Sequence, residues 1–125
     1  MASGLLAGKY TSETSFPESD HRNFNKDGEH FNVGETFSGL PLGKGIELTE
    51  ELKTYCPTEM TMVDFALRWI LDHEAVTTVI PGASRVEQVV GNVKSSDFAP
   101  LSSQIKNNLK EHYVNKVHSC IRGTY

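Results

Sequence analysis

Long apolar runs are missing from this chain. No window approaches the roughly 18 uninterrupted apolar residues of a membrane helix. The N-terminus has no charged region followed by an apolar one, so neither a membrane span nor a signal peptide is expected. Basic clusters are missing too. With a formal net charge of -4 and no Lys/Arg run, the chain suits nucleic acid poorly, because phosphate backbones are held by clustered cations. Cysteine is scarce: Cys56 and Cys120 stand far apart without C-x-x-C spacing and read as reduced thiols. His21, His30, His73, His112 and His118 fall in no H-x-x-x-H or H-x-H arrangement, which argues against a metal site. The default compartment for such a chain is the cytoplasm.

What is present is an ordinary globular composition, 38% hydrophobic and 22% charged over 125 residues, enough for one domain over residues 1–125 and no second. Residues 11–45 carry much of the Gly, Asn and Ser, with Pro17 and Pro41, and show no sustained periodicity. They are expected to be a long loop, functional or mobile. Leu48, Leu52 and Tyr55 mark one face of a short helix that ends before Pro57. Thr61 and Asp64 form a capping box opening the strongest helix, "MVDFALRWILDH". Its stripe of Val63, Ala66, Leu67 and Ile70 is widened by Met62, Phe65 and Trp69, so it needs cover on more than one side. A last helix starts near Ser102, with Ile105, Leu109, Tyr113 and Val117 toward the core and His112 and His118 as surface or interface residues, not ligands. No internal repeat is evident.

The most informative stretch is "TTVIPGASRVEQVVGN", residues 77–92. Residues 76–80 are all β-branched, which favours a strand, the one confident strand of the chain. After Pro81-Gly82, Ser84 and Glu87 are spaced as a second capping box, predicting a helix from Arg85 to about Lys94 with Val86, Val89 and Val90 inward. Arg85 then sits against the positive end of a helix dipole. Solvent or a carboxylate would satisfy it, and so would an anion: a phosphate there meets unpaired N–H donors, the dipole and the guanidinium together. Gly82 would let a ligand approach the backbone closely. One strand cannot make a sheet, and a strand buried on both faces needs neighbours that this chain does not supply. The chain therefore reads as a piece of a βα-repeating protein whose other strands are missing or come from another chain.

"MASGLLAGKY" at 1–10, "FPESDHR" at 16–22, "FALRWIL" at 65–71 and "VIPGASRVEQVVGN" at 79–92 together resemble the C-terminal third of the aldo-keto reductases, over about residues 1–120 and in the same order and spacing. Bacterial and plant-type members and the potassium-channel β-subunits are the nearest look-alikes. The resemblance implies an α/β fold, a C-terminal fragment of a (β/α)8 TIM barrel, mostly helical with the eighth strand at residues 77–80. It implies NADP(H) as cofactor, and such barrels hold phosphate at the loops after strands 7 and 8. Gly82, Ser84 and Arg85 are then expected at the 2′-phosphate, and Gln88 and Asn92 at the adenine and ribose. Ser3, Gly4, Leu5, Ala7 and Lys9 would wrap the pyrophosphate, and Arg22 would close over the cofactor. Two departures stand out. Gly91 replaces an acid that the family places before the asparagine, and Met1 stands where the family has the leucine of a Pro-Leu pair. "GLLAGKY" is no nucleotide P-loop: it is one residue short of G-x-x-x-x-G-K, and Tyr10 replaces the magnesium-binding Ser or Thr.

The resemblance implies an oxidoreductase reducing an aldehyde or ketone by hydride transfer, to which this chain contributes cofactor-binding residues only. Tyr10, Tyr55, Tyr113 and Tyr125 match no catalytic motif, so the chain alone is expected to be inactive. A non-catalytic alternative also fits: an interaction protein or truncated gene product depending on a barrel partner that supplies missing strands, with Phe65, Trp69 and Val79 as the sticky surface.

Overall fold

The computed structural model describes residues 1–123, and Tyr125, set aside above, lies outside them. The chain opens with a 3-10 segment, Ala2–Ala7, and five α-helices follow among the described residues: α1 His21–Phe24, α2 Leu42–Lys53, α3 Met62–Leu71, α4 Val86–Lys94 and α5 Ser103–His112. Single 3-10 turns lie at Val33–Glu35 and Phe37–Gly39, and α5 runs on into a π-helical turn, Tyr113–Val117. No described helix is long and apolar enough to cross a membrane.

The expected strand is absent among the described residues. Residues 77–83 form no regular element, and no backbone hydrogen bond joins them to another described segment. Their β-branched side chains suit a pleated surface, but that preference is realised only against neighbouring strands. An α/β reading with one confident strand is therefore corrected to an all-helical arrangement of the described residues.

The capping box of α3 forms as expected. Thr61 Oγ1 accepts from the Asp64 amide at 3.2 Å and Asp64 Oδ2 accepts from the Thr61 amide at 3.0 Å, satisfying two donors that the helix start would leave free. Phe65 and Leu67 are its buried residues, so Phe65 belongs to the core and not to an exposed sticky face. Asp72 closes the other end. Its carboxylate, 1% exposed, takes Arg68 Nε at 2.8 Å, Lys106 Nζ at 2.9 Å and the Leu101 amide at 2.8 Å, tying α3 to the start of α5. Ser102 caps α5 by accepting from the Ile105 amide. Past His112 the i→i+5 winding shifts the helix phase, which leaves Tyr113 40% exposed and buries His112 instead. The apolar spacing instead predicts Tyr113 toward the core and His112 at the surface or an interface.

Residues 11–45 are no slack loop. Asn25, Thr36 and Phe37 are each fully enclosed. Asn25 Oδ1 accepts from the amides of His30 and Phe31, both at 2.9 Å, and its Nδ2 donates to Thr36 Oγ1 at 2.9 Å. Helix α2 starts at Leu42, earlier than its periodicity suggests, since Gly43 and Gly45 have poor helix propensity and hide its first turn in the sequence. Gly45 is there for packing: a Cβ on it would meet Leu5 Cδ2 at 2.6 Å.

The chain contains one short internal echo, below the length of a structural repeat. "SGLLAGK" at 3–9 and "SGLPLGK" at 38–44 share S-G-L-x-x-G-K. Both begin in left-handed turns, with φ of 47°, 54° and 94° at Ala2, Ser3 and Gly4, and 52°, 57° and 75° at Phe37, Ser38 and Gly39. The two turns pack on each other. Each non-glycine residue held there costs on the order of 1 kcal/mol, so surrounding contacts must impose the conformation.

Candidate functional site

The Ala2–Ala7 segment, α3 and α4 enclose a cleft of about 700 Å³, within the roughly 300–1,000 Å³ of small-molecule sites. One wall carries Ser3, Gly4, Ala7 and Lys9, and the facing wall carries Gly82, Arg85, Gln88 and Asn92. Eight of the eleven residues expected at the site (Ser3, Gly4, Leu5, Ala7, Lys9, Arg22, Gly82, Ser84, Arg85, Gln88, Asn92) thus line one cavity, although the two groups stand at opposite ends of the matched motifs. The floor, from Thr61, Asp64, Leu67 and Ile70 of α3 with Val79 and Ile80, was not read from the sequence. Asp64 was visible there only as a cap, and Leu67 and Ile70 only as apolar positions on a stripe.

Helix α4 differs from its expected form in three ways. It starts at Val86 with Arg85 as N-cap, in extended conformation, and no side chain caps it. Ser84 therefore stands one residue too early for the predicted capping box. Its amide and hydroxyl both donate to Gln88 Oε1, at 2.7 and 3.2 Å. Finally, Val86, Val89 and Val90 are 72%, 51% and 54% exposed instead of inward, because the described residues cover that face only in part. The uncapped first amides remain available at the helix end, next to Arg85. The Arg85 side chain has no hydrogen bond or ion pair with another described residue, and the same holds for Lys9 across the cleft. A Cβ on Gly82 or Gly91 would meet nothing within 4 Å, so space is open beside this end of α4. Two cations, free amides and open backbone form a donor set that fits a phosphorylated ligand.

The acid on the floor does not spoil that fit. Burial pushes the Asp64 carboxyl up, but hydrogen bonds from Thr61 and from Ser95 Oγ at 2.8 Å, with the charge of Lys94, hold it below its ordinary value. Its oxygens are thus already engaged away from a ligand.

Three expected residues take other places. Leu5 is 4% exposed and its side chain lies in the core on Gly45. Ser84 is bound to Gln88 and does not line the cleft. Arg22 stacks on Phe16, with its guanidinium carbon 4.4 Å from the ring centroid, and forms an ion pair with Asp20. The hydrogen bonds from Arg22 hold the Asp20 carboxyl far below its usual range. Arg22 Nη1 also donates to Tyr10 Oη at 2.7 Å, and Tyr10 in turn donates to the Ser3 carbonyl at 2.8 Å. Arg22 therefore supports the left-handed turn from behind instead of closing over the cleft. Among the described residues no group of three or more His, Cys, Asp or Glu could hold a metal ion.

The family model described as "Aldo/keto reductase family" matches residues 1–114. Among curated proteins, the chain is 30% identical over 112 residues to an L-glyceraldehyde 3-phosphate reductase of Escherichia coli O157:H7, covering 90% of this chain and 31% of that protein. It is 29% identical over 110 residues to a probable voltage-gated potassium channel subunit beta of Arabidopsis thaliana, covering 84% of this chain and 30% of that one. The chain spans less than a third of the length of either relative.

Proposed function

Given that this chain belongs to the aldo/keto reductase family, we propose that the cleft between the Ala2–Gly4 turn and the N-terminus of α4 binds NADP(H), within an oxidoreductase that reduces an aldehyde or ketone. The observation that carries this reading is the convergence of Ser3, Gly4, Ala7 and Lys9 with Gly82, Arg85, Gln88 and Asn92 on one cavity. Arg85 and the first amides of α4 take the 2′-phosphate, Lys9 faces the pyrophosphate, and Gln88 and Asn92, about one turn apart, face the adenosine. When bound, the nicotinamide supplies the hydride, and this segment contributes orientation and electrostatics.

Fluorescence titration of the chain with NADPH and with NADH tests the assignment. Only NADPH places a dianion at Arg85, and a charge-assisted hydrogen bond contributes roughly 1.5–3 kcal/mol. Arg85→Ala is expected to weaken NADPH binding by about tenfold to a hundredfold while leaving NADH binding nearly unchanged. Equal losses for the two cofactors would reduce Arg85 to a packing or solubility residue.

A second reading is favoured by one observation. Ile80 is 92% exposed, and Val93, 64% exposed, extends the helical stripe of the bared Val86, Val89 and Val90. A large apolar patch of this kind marks an interaction surface, and its proposed cover is the complementary part of an aldo/keto reductase barrel. Size-exclusion chromatography of the chain mixed with such a barrel segment checks this. A complex that Val89→Asp fails to weaken would refute it.

A further inference from the structure

The residues Ile121, Arg122 and Gly123 lie past the matched region, 1–114, and the reading above assigns them nothing. Arg122 nonetheless bridges two turns of residues 25–39. Its amide donates to the Gly39 carbonyl at 2.8 Å and its Nε to the same oxygen at 3.3 Å. Nη2 donates to the Lys26 carbonyl at 2.6 Å, and Nη1 reaches Asp27 Oδ1 at 3.1 Å. The backbones are in contact: a Cβ on Gly39 would meet the Arg122 carbonyl oxygen at 2.8 Å. The planar guanidinium spreads its donors over a rigid fork and so reaches acceptors on two turns at once, whereas the three donors of a lysine radiate from a single nitrogen.

What Arg122 holds is the support of the cofactor turn. Gly39 ends the left-handed turn Phe37–Gly39, which packs on the Ala2–Ala7 segment. Ser3 Oγ donates to the Glu35 carbonyl at 3.4 Å, and Phe37 lies 6.1 Å from Phe16, the ring under Arg22. From this geometry we propose that Arg122 is a positioning residue: it latches residues 25–39 and through them fixes the Ala2–Gly4 turn that forms one wall of the cleft. Both turns hold non-glycine residues at positive φ and relax toward ordinary backbone once their support loosens. The binding-competent arrangement then occupies a smaller fraction of the molecules, and the apparent Kd rises by the inverse of that fraction.

The effect on affinity rests on the NADP(H) reading; the latch itself does not. In the full chain, Arg122→Ala is expected to speed hydrogen exchange at the Gly4, Leu6 and Gly8 amides, which bond within the turn to Met1 and Leu5 carbonyls. It is also expected to raise the Kd for NADPH and for NADH by one common factor, about tenfold if the competent fraction falls to about a tenth. That common factor separates the latch from Arg85→Ala, which changes the ratio between the cofactors. Asp27→Ala removes only an exposed partner and should show the same pattern at smaller size, which covers the case in which Arg122→Ala does not fold. Faster exchange confined to residues 26–39, with residues 2–8 unchanged, overturns the latch. If the wild-type chain binds neither cofactor, the NADP(H) reading falls, and exchange at residues 2–8 alone decides the proposal.

Discussion

Phe37 is fully enclosed, whereas Ile80 is 92% exposed. The regions around them differ in the same sense. Residues 16–40, polar and without period, enclose Asn25, Thr36 and Phe37, while residues 76–94, with a clear apolar pattern, bare Ile80, Val86, Val89, Val90 and Val93. The difference teaches that periodicity reports a surface's need for cover and not whether cover is within reach. Residues 16–40 find their complement, partly within the segment through Asn25 and Thr36 and partly from the far end of the chain through the strap of Arg122. The valines of α4 meet only partial cover among the described residues and stay half-exposed or more.

The largest expected effect falls on the enclosed side. Phe37→Ala leaves a cavity where no solvent reaches, a loss of about 3–5 kcal/mol. Urea denaturation of the variant should show a collapsed midpoint, and a loss below about 1 kcal/mol would mean that this region is no core. Next comes Asn25→Ala, which strands the His30 and Phe31 amides and the Thr36 hydroxyl. The cost is about 1–3 kcal/mol, and amide exchange at residues 30 and 31 should accelerate with it.

A smaller effect probes a buried polar group that lacks what Asn25 has. Neither ring nitrogen of His112 finds a hydrogen-bond partner, and Glu51 Oε2 stands 3.6 Å from Nδ1 while pairing with Lys116. Burial pushes the His112 imidazole below its ordinary pKa against the pull of Glu51. The unfolded chain then binds more protons below pH 6.5, so stability is lost as pH falls from about 6.5 through the lower folded value. The urea midpoint should drop between pH 7.5 and 5.5, and drop less in His112→Phe. An identical drop in both would remove His112 from the account. The smallest effect is expected on the bare side, where Val93→Ser should change stability by within about 0.5 kcal/mol. A loss comparable to that of Phe37→Ala would mean that α4 is covered in solution, and the contrast between the two regions would fail.

Much of the candidate site was legible in the sequence. Glycines beside a helix start and an arginine at its positive end allow an anion there as well as solvent or a carboxylate; the family resemblance tips the choice and adds Gln88 and Asn92, and Gly82, Arg85, Gln88 and Asn92 do line the cleft. Arg22, Leu5 and Ser84 lie outside the cleft, and their chemistry allows two destinations. A guanidinium suits Asp20 and Tyr10 as well as a phosphate, a leucine beside a binding turn also fills a core, and a serine two residues before a helix finds Gln88 in place of a capping position. The cleft floor was hidden because its residues already had structural readings.

By itself the sequence determined what depends on neighbours within a few positions. The Thr61–Asp64 cap, the Ser102 cap, the existence of α3, α4 and α5 and the electropositive start of α4 follow from bonds that close within one helical turn. Tertiary structure decided whatever needs a partner from afar. It left residues 77–83 without a ladder, turned the α4 valines outward and enclosed His112 against Glu51. It also set two S-G-L turns back to back under the hold of Arg122. Burial and strand pairing are properties of two surfaces, and a linear pattern specifies only one of them.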